Sequence, residues 1–550
     1  MIISASAGIS AFAGKLLTAQ RAPTTIAANP SNYRALLRTL KPGDTLMLEA
    51  GSYPRLQIPG LDGTPEAWIT ISGPPFGAPA VITGEPDHDT VEIENSSYIS
   101  IENMRIDSRG IPGAFGISTK GHENNVTHHI RVENNTLVGQ NSNQQTDGIS
   151  TKSPTWGWII RYNRILGAGT GIYLGDSDGT QPFVAGVIEN NLIQNTIGYD
   201  MEIKDQKSLP PVSGLPLGPT STIIRNNVFI KDDQPSPDGD RPNLILGAFP
   251  PAGPGSLNLY EVYGNYFLHN HREALFQGSG SISLHDNIFV DGPYDYAAIV
   301  LRNQNFPLKI AHLYNNTIYS SGRGIYFGSR AQIEDAVVGN LVFAQTPISG
   351  QILFKSDNLV DSLDNASKFV ASPSFDPMSM DFYPLPGRCQ GDPIDLSTFH
   401  TEADYTLDFN SAQKTASKGS VRFRGAYAGE GANAGWRPQI GVKPPAPPLA
   451  PSLRSIAPLV WLEPSAASAG STVVLRLFGA NFSKDASVNV SGTGVTVTDV
   501  VIDSATQINA KLRSAATAGG KRDITVSNSE KRSNALPLTI TRDRVSPKAP

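Results

Sequence analysis

Asparagine recurs at one fixed place in this chain, just before an apolar strand, eight times: Asn135, Asn163, Asn191, Asn227, Asn265, Asn287, Asn316 and Asn340. Successive copies lie 28, 28, 36, 38, 22, 29 and 24 residues apart, the length of one solenoid coil with loops of variable size. Typical copies are Val132-Glu133-Asn134-Asn135-Thr136-Leu137 and Leu313-Tyr314-Asn315-Asn316-Thr317-Ile318. Asn tolerates tight-turn dihedrals, and its amide can bond the Asn one coil above, satisfying polar groups where a turn is buried. The expected fold is all-β, a right-handed parallel β-helix.

The 550 residues provide enough chain for a long solenoid core plus a smaller domain. Only 17% are charged, and 52 Gly with 42 Pro suit many short strands joined by tight turns, so long helices are not expected. A net charge of -5 gives no pull toward nucleic acid or an anionic membrane. No stretch approaches the ~20 apolar residues of a membrane span. Cys389, the single cysteine, excludes an internal disulfide and a cysteine-built zinc site, and is expected to be a packed thiol.

Residues 1–22 open on small apolar residues without the basic start of a secretory signal, and are expected to be a leader or a loose terminus. The architecture leads us to expect a secreted, periplasmic or cell-surface protein. The β-helix is assigned to 23–442. The segment 32–40 has helical apolar spacing and is expected to cap the solenoid before the first strand, with coils running from about Trp68 to Phe343. Residues 207–220 and 232–254 are rich in Pro, Gly and Asp, account for the long 36- and 38-residue intervals, and are expected to wall a groove. Ser372 to Phe375, Asp381 to Leu385 and Arg424 to Tyr427 are expected to finish the helix.

A Pro-rich linker follows at 443–451, then alternating strands over 452–542 that are expected to form an immunoglobulin-like β-sandwich, and a tail at 543–550. Within this region Ile456, Pro458, Gly470 and Gly479-Ala480-Asn481-Phe482 resemble the IPT/TIG module of surface and secreted proteins. That resemblance implies association with a cell surface or extracellular matrix.

Aligning the second strand of each coil yields candidate chemistry. Ile117-Ser118-Thr119-Lys120, Ile149-Ser150-Thr151-Lys152, Ile172-Tyr173-Leu174-Gly175, Met201-Glu202-Ile203-Lys204, Ile299-Val300-Leu301-Arg302 and Ile325-Tyr326-Phe327-Gly328 share one register. Strand period two sends their second and fourth members outward. Ser118, Ser150, Tyr173, Glu202 and Tyr326 then form one column, and Lys120, Lys152, Lys204 and Arg302 the next. With coils about 4.8 Å apart, Lys152 and Lys204 flank a gap of roughly 10 Å.

β-Elimination from a uronate needs neutralisation of the substrate carboxylate, a base for the C5 proton and an acid for the leaving oxygen. Lys152 is the expected base, with a pKa depressed by neighbouring cations, and Lys204 and Arg302 complete the catalytic set. Lys120, Ser150, Tyr173 and Tyr326 are expected to bind substrate, and Asp176, Asp178, Glu202 and Asp205 to hold a Ca²⁺. The plainer reading makes the lysines a solvated face and Asp176 and Asp178 turn formers. Among histidines, His128 and His129 precede a strand, while His269, His271 and His285 lie in adjacent coils and offer a metal site or hydrogen-bonded imidazoles.

Asp147-Gly148-Ile149-Ser150-Thr151-Lys152-Ser153, followed one coil later by Gly171-Ile172-Tyr173-Leu174-Gly175-Asp176, resembles the alginate-lyase/chondroitinase-B type of β-helix lyase. The resemblance implies Lys-Ser as the base segment, and Lys152-Ser153 fits it. It also implies Arg-His-Gly on the next coil, where this chain has Gly175-Asp176, so Lys204 or Arg302 must substitute. The expected function is a polysaccharide lyase acting on an acidic glycan. A β-helix glycoside hydrolase or epimerase using paired carboxylates, and a non-catalytic adhesion or structural protein, are the alternatives, since β-helices host all three roles.

Overall fold

The computed structural model describes residues 23–119, 125–414 and 420–445 and most of 459–542. In it the backbone N–H and the side-chain Nδ2 of each ladder Asn both donate to Oδ1 of the Asn one coil on. For Asn227 to Asn265 the distances are 2.8 and 3.1 Å, and for Asn287 to Asn316 they are 3.1 and 3.0 Å. Nδ2 also donates backward, from Asn227 to the Ile188 carbonyl at 2.9 Å, so one amide ties three coils. The residue before each ladder Asn takes a left-handed φ, as in Asn134 (52°), Asn190 (54°), Asn226 (56°), Asp286 (53°) and Asn315 (51°). The doublet thus divides the work: the first residue makes the turn and the second bonds across it. The ladder extends beyond the repeat to Asn358, which accepts from Asn340 at 2.9 Å.

Each coil contributes a strand to three faces. The first face precedes the ladder Asn and stacks Val132, Ile160, Ile188, Ile224, Val262, Leu284, Leu313 and Val337 in one inward column, all with zero exposure. The second follows the Asn and includes a stack of Phe229, Phe267 and Phe289, with centroids 4.9 and 4.6 Å apart. The third carries Ile117, Ile149, Ile172, Met201, Leu244, Phe276, Ile299 and Ile325 inward. Pairing is parallel throughout, and the inward columns merge into one core.

The solenoid is longer than the span from Trp68 to Phe343. It begins with Thr25–Ala28 paired to Thr45–Leu48 and ends with Leu359–Asp361 paired to Leu341–Gly350. The helix expected at 32–40 forms over Tyr33–Leu37, between the first two strands rather than before them, with Tyr33 and Leu37 buried. Residues 232–254 are not all insertion, because they contain a third-face strand, Leu244–Leu246. A second unread strand, Phe276–Gly278, follows it on that face. Both are three residues long, too short to display a period.

The segments expected to finish the helix instead run back along its flank. The outward residues of the second face, Val228, Ile230, Tyr266, Leu268, Ile288 and Val290, are apolar and pack under Val370, Phe382, Cys389, Phe409 and Tyr427. Burial there leaves Cys389 a free, packed thiol, pushed up to about 12. Residues 402–414 dock on the first face through charge: Asp404 meets Arg225 at 3.4 Å, Lys414 meets Asp286 at 2.6 Å, and Glu261 accepts the Ala403 N–H. These contacts fall on the first and second faces, and the third face presents an outer column that is polar except at Ile245 and Val300.

Beyond the linker, Trp461–Glu463, Thr472–Phe478, Gln507–Ser514 and Val495–Ser504 form one small sheet. Ala466–Ser468, Leu536–Thr541, Gly520–Asn528 and Ser487–Val490 form a second, with Lys531–Arg532 at its margin. Leu475, Leu477, Ile508 and Leu512 of the first pack with Ile524, Val526 and Leu538 of the second. Ile456, Pro458, Ala480 and Asn481 of the module motif lie outside the described residues, as do 1–22, 446–451 and 543–550.

Two predictions follow from these contacts. Asn227→Ala strands the Asn191 N–H and the Ile188 carbonyl in a dry core, so chemical denaturation is expected to show a loss on the order of 2–4 kcal/mol, against roughly half for Asn358→Ala at the more open end. Glu261 is wholly buried, and burial pushes its carboxyl up to about 7. A raised carboxyl contributes stability that is complete below its ordinary range and is lost as pH climbs through about 7. Glu261→Gln keeps the acceptor without the charge. Its stability is expected to match the parent at pH 4 and exceed it at pH 8 by up to roughly 3 kcal/mol.

Candidate functional site

The third face keeps the register expected of it. Its outward column runs Glu92, Ser118, Ser150, Tyr173, Glu202, Ile245, Gln277, Val300, Tyr326 and Ser349. Thr119 and Thr151, one place on, point inward and fasten the next residue of the neighbouring coil: the Lys152 N–H donates to Thr119 Oγ1 and the Gly175 N–H to Thr151 Oγ1, each at 2.9 Å. This lock sets Lys152 at the strand end. Gly175 keeps the coil between the lysines open, because a Cβ there would stand 3.3 Å from the Lys204 Cβ.

Lys152 and Lys204 meet at Tyr173. Their ammonium groups lie 5.6 and 5.5 Å from the centroid of its ring, within cation–π range. The gap between the lysines therefore holds a phenol, whose hydroxyl is 2.8 Å from Ser177 Oγ and which burial pushes up to about 12. Each lysine faces a carboxylate rather than the neighbouring cations expected of it. Lys152 Nζ is 3.3 Å from Asp147 and 4.1 Å from the centre of the Phe115 ring, and Lys204 Nζ is 2.8 Å from Glu202.

Burial, only partly offset by Lys152, pushes Asp147 up to about 7. Glu202 is likewise raised by burial against the pull of Lys204. Asp89 completes the acidic side, pushed up to about 6 by burial and by Glu92. Asp147, Asp89 and Phe115 were not among the residues expected at the site. Asp147 stands five places before Lys152, an odd offset that strand alternation puts on the opposite face, so period alone gives no sign of their 3.3 Å approach.

Ser150 lies in its expected column but is wholly buried, its hydroxyl 2.7 Å from that of Ser118. Lys120 lies outside the described residues. Arg302 is three coil steps from Lys204, about 14 Å, because the strands Leu244–Leu246 and Phe276–Gly278 intervene, and it donates to Gln277 at 3.3 Å. Tyr326 is five steps from Tyr173, about 24 Å, and carries Arg323 over its ring.

The four carboxylates expected to hold Ca²⁺ do not converge. Asp176 accepts the Ser177 N–H at 2.6 Å, and Asp178 accepts from Thr180 at 2.7 and 2.6 Å, as turn formers do. Asp205 is spent on the Ala248 N–H and Asn305, and Glu202 on Lys204. Among the described residues the one group whose ligand atoms gather as a metal needs is Asp233, His269 and His271. His285 is buried elsewhere, bonded to Asp286 and stacked between Tyr263 and Tyr314. His128 and His129 lie within the strand Thr127–Glu133, with His128 stacked on Trp156.

The two insertions leave opposite edges of this face. Residues 207–220 turn away over Trp156, where Leu209 and Leu215 are buried. Residues 232–243 return along the near edge: Ser236 Oγ donates to the Ile197 carbonyl, the Asp238 N–H to Gln144 Oε1 at 2.9 Å, and Gln144 Nε2 to the Gly239 carbonyl at 2.8 Å. Arg241 lies over the Tyr199 ring. The loop thus borders the strand that begins at Asp147 on that side alone.

No protein-family model matches the chain, and no curated protein matches its sequence. Several solved structures are similar to it. An alginate lyase from a Paenibacillus species is 15% identical, with 61% of this chain and 99% of that one covered and a TM-score of 0.37. A lacto-N-biosidase from Eubacterium ramulus is 12% identical over 62% of this chain and 68% of that one, with a TM-score of 0.40. A surface adhesin of Streptococcus pneumoniae is 12% identical over 67% and 92%, with a TM-score of 0.35.

Proposed function

We propose that this chain is a polysaccharide lyase that acts outside the cell on an acidic, uronate-containing glycan, with Lys152, Tyr173 and Lys204 at its centre. The observation that carries this reading is the convergence of two ammonium groups on one phenol along an outward, polar strip of a rigid face. Lys204 meets the uronate carboxylate and, by neutralising it, makes the C5 proton more acidic. Lys152 takes that proton. The C4–O bond then breaks as the C4=C5 bond forms, and the leaving oxygen receives the Tyr173 phenolic proton, which the raised pKa keeps in place at neutral pH.

Asp147 makes Lys152 usable as a base. A carboxylate that resists ionisation brings the neutral tautomer of the pair, carboxylic acid beside free amine, nearer in energy to the ion pair than it is between solvated groups. Below about 7 Asp147 is itself protonated and has no place for another proton. Above it the carboxylate, 3.3 Å from Lys152 Nζ, can accept the proton that Lys152 passes on.

A second reading is favoured by the same carboxyls: Asp147 and Glu202, both raised, suit a glycoside hydrolase in which Asp147 is the general acid. The two readings differ in sign. For elimination, activity is expected to rise with pH through about 7 and product to absorb near 235 nm. For hydrolysis, activity falls over that range and reducing ends appear without the absorbance. Pectin, alginate and glycosaminoglycans are the substrates to try. Lys152→Ala is expected to lower the elimination rate by about 100-fold or more, whereas Arg302→Ala stays within a few-fold of the parent. A Lys152→Ala variant with full activity, or an absence of both products on every acidic glycan, would overturn the lyase reading.

A further inference from the structure

The geometry points to a divalent transition-metal site of the zinc class, built from Asp233, His269 and His271, that fastens the root of the 232–243 loop to the coil beneath it. Three successive coils supply the parts. Asp233 follows the strand Val228–Ile230, the two histidines follow Tyr266–Leu268, and Tyr294 follows Ile288–Asp291. One carboxylate oxygen and one ring nitrogen from each histidine all lie within 4.8 Å of one another. His269 Nε2 is 2.8 Å and His271 Nδ1 is 3.7 Å from Asp233 Oδ1.

The histidines are held in place. Between them Asn270 is buried, and its amide is fully used: Nδ2 donates to the Arg241 carbonyl and Asn243 Oδ1, Oδ1 accepts the Arg272 and Glu273 N–H groups, and its own N–H donates to Asp291. With Asn270 pointing inward, His269 and His271 flank it on the outside and present their rings nearly parallel, 6.3 Å apart. Tyr294 donates to Asp233 at 3.1 Å and stands against both rings, as an outer partner orienting the carboxylate.

Two imidazoles and one carboxylate are the donor set of zinc and its neighbours in the first transition row rather than of calcium or magnesium. Arg272 Nε donates to the far nitrogen of His271 at 2.6 Å. Metal at Nδ1 requires that far nitrogen to carry a hydrogen, so Arg272, nearly half exposed and already 3.8 Å from Asp240, swings toward the latter. Because the loop continues from Asp233 to Gln144 beside the Asp147 strand, the ion sets the position of that border. This inference rests on these side chains alone and stands apart from the lyase reading.

Full-length protein, freed of any affinity tag, is titrated with Zn²⁺ by calorimetry and with Co²⁺ by absorbance. One equivalent is expected to bind, His271→Ala to weaken binding by more than about 100-fold, Tyr294→Phe by about 10-fold, and His88→Ala, at an exposed turn, to leave it unchanged. Zn²⁺ is expected to slow proteolysis within 234–242 at least several-fold in the parent and not in His271→Ala. Absence of stoichiometric binding, or equal affinity in His271→Ala, overturns the site. Binding without protection of 234–242 overturns the fastening role.

Discussion

A side-chain amide with four hydrogen-bonding places, buried in the turn of each coil from Asn135 to Asn340, is the interaction on which this molecule depends. Each ladder Asn after Asn135 accepts two bonds from the Asn before it, and its amide gives one to the Asn after it and one to a carbonyl of the coil before. A turn left inside a dry core would otherwise carry orphaned N–H and C=O groups, which cost more than the bonds gain. Stacking equal turns removes the debt for every coil but the last, so coil adds to coil in register and side chains far apart in sequence become neighbours along each face.

That regularity turns the outer surface into three strips with different fates. The apolar strip of the second face and the charged strip of the first are covered by the returning chain at 363–414 and 420–445, and Arg225, Asp286 and Glu261 find their partners there. The third strip keeps a polar column, and on it Tyr173 gathers the two lysines. The return segment therefore covers two faces and, by where it packs, leaves the outer column of the third clear of it.

Much of this was legible in the chain. The ladder positions, the inward columns and the register of Ser150, Tyr173 and Glu202 all follow from period and spacing, because a coil repeats its predecessor. Arg302 shows where that logic fails. Its strand was read in the correct register and Arg302 was grouped with Lys204 in one catalytic set, but the strands Leu244–Leu246 and Phe276–Gly278, too short to show alternation, stand between the two. Asp176 and Asp178 admit two roles in a linear reading, metal ligand or turn former, and in space they make the bonds of turn formers. Asp147, inside the quoted motif, reveals its part only in space, 3.3 Å from Lys152.

The sequence by itself determined which residues face the core, how long each coil is and where one coil hands over to the next, since these depend on alternation and on a buried amide seeking its own kind. Only the tertiary structure decided which faces the returning chain covers, that Asp147 reaches Lys152, and that Asp233 meets His269 and His271 across a coil step. Those outcomes depend on long-range docking and on where individual side chains reach, and neither leaves a periodic trace along the chain.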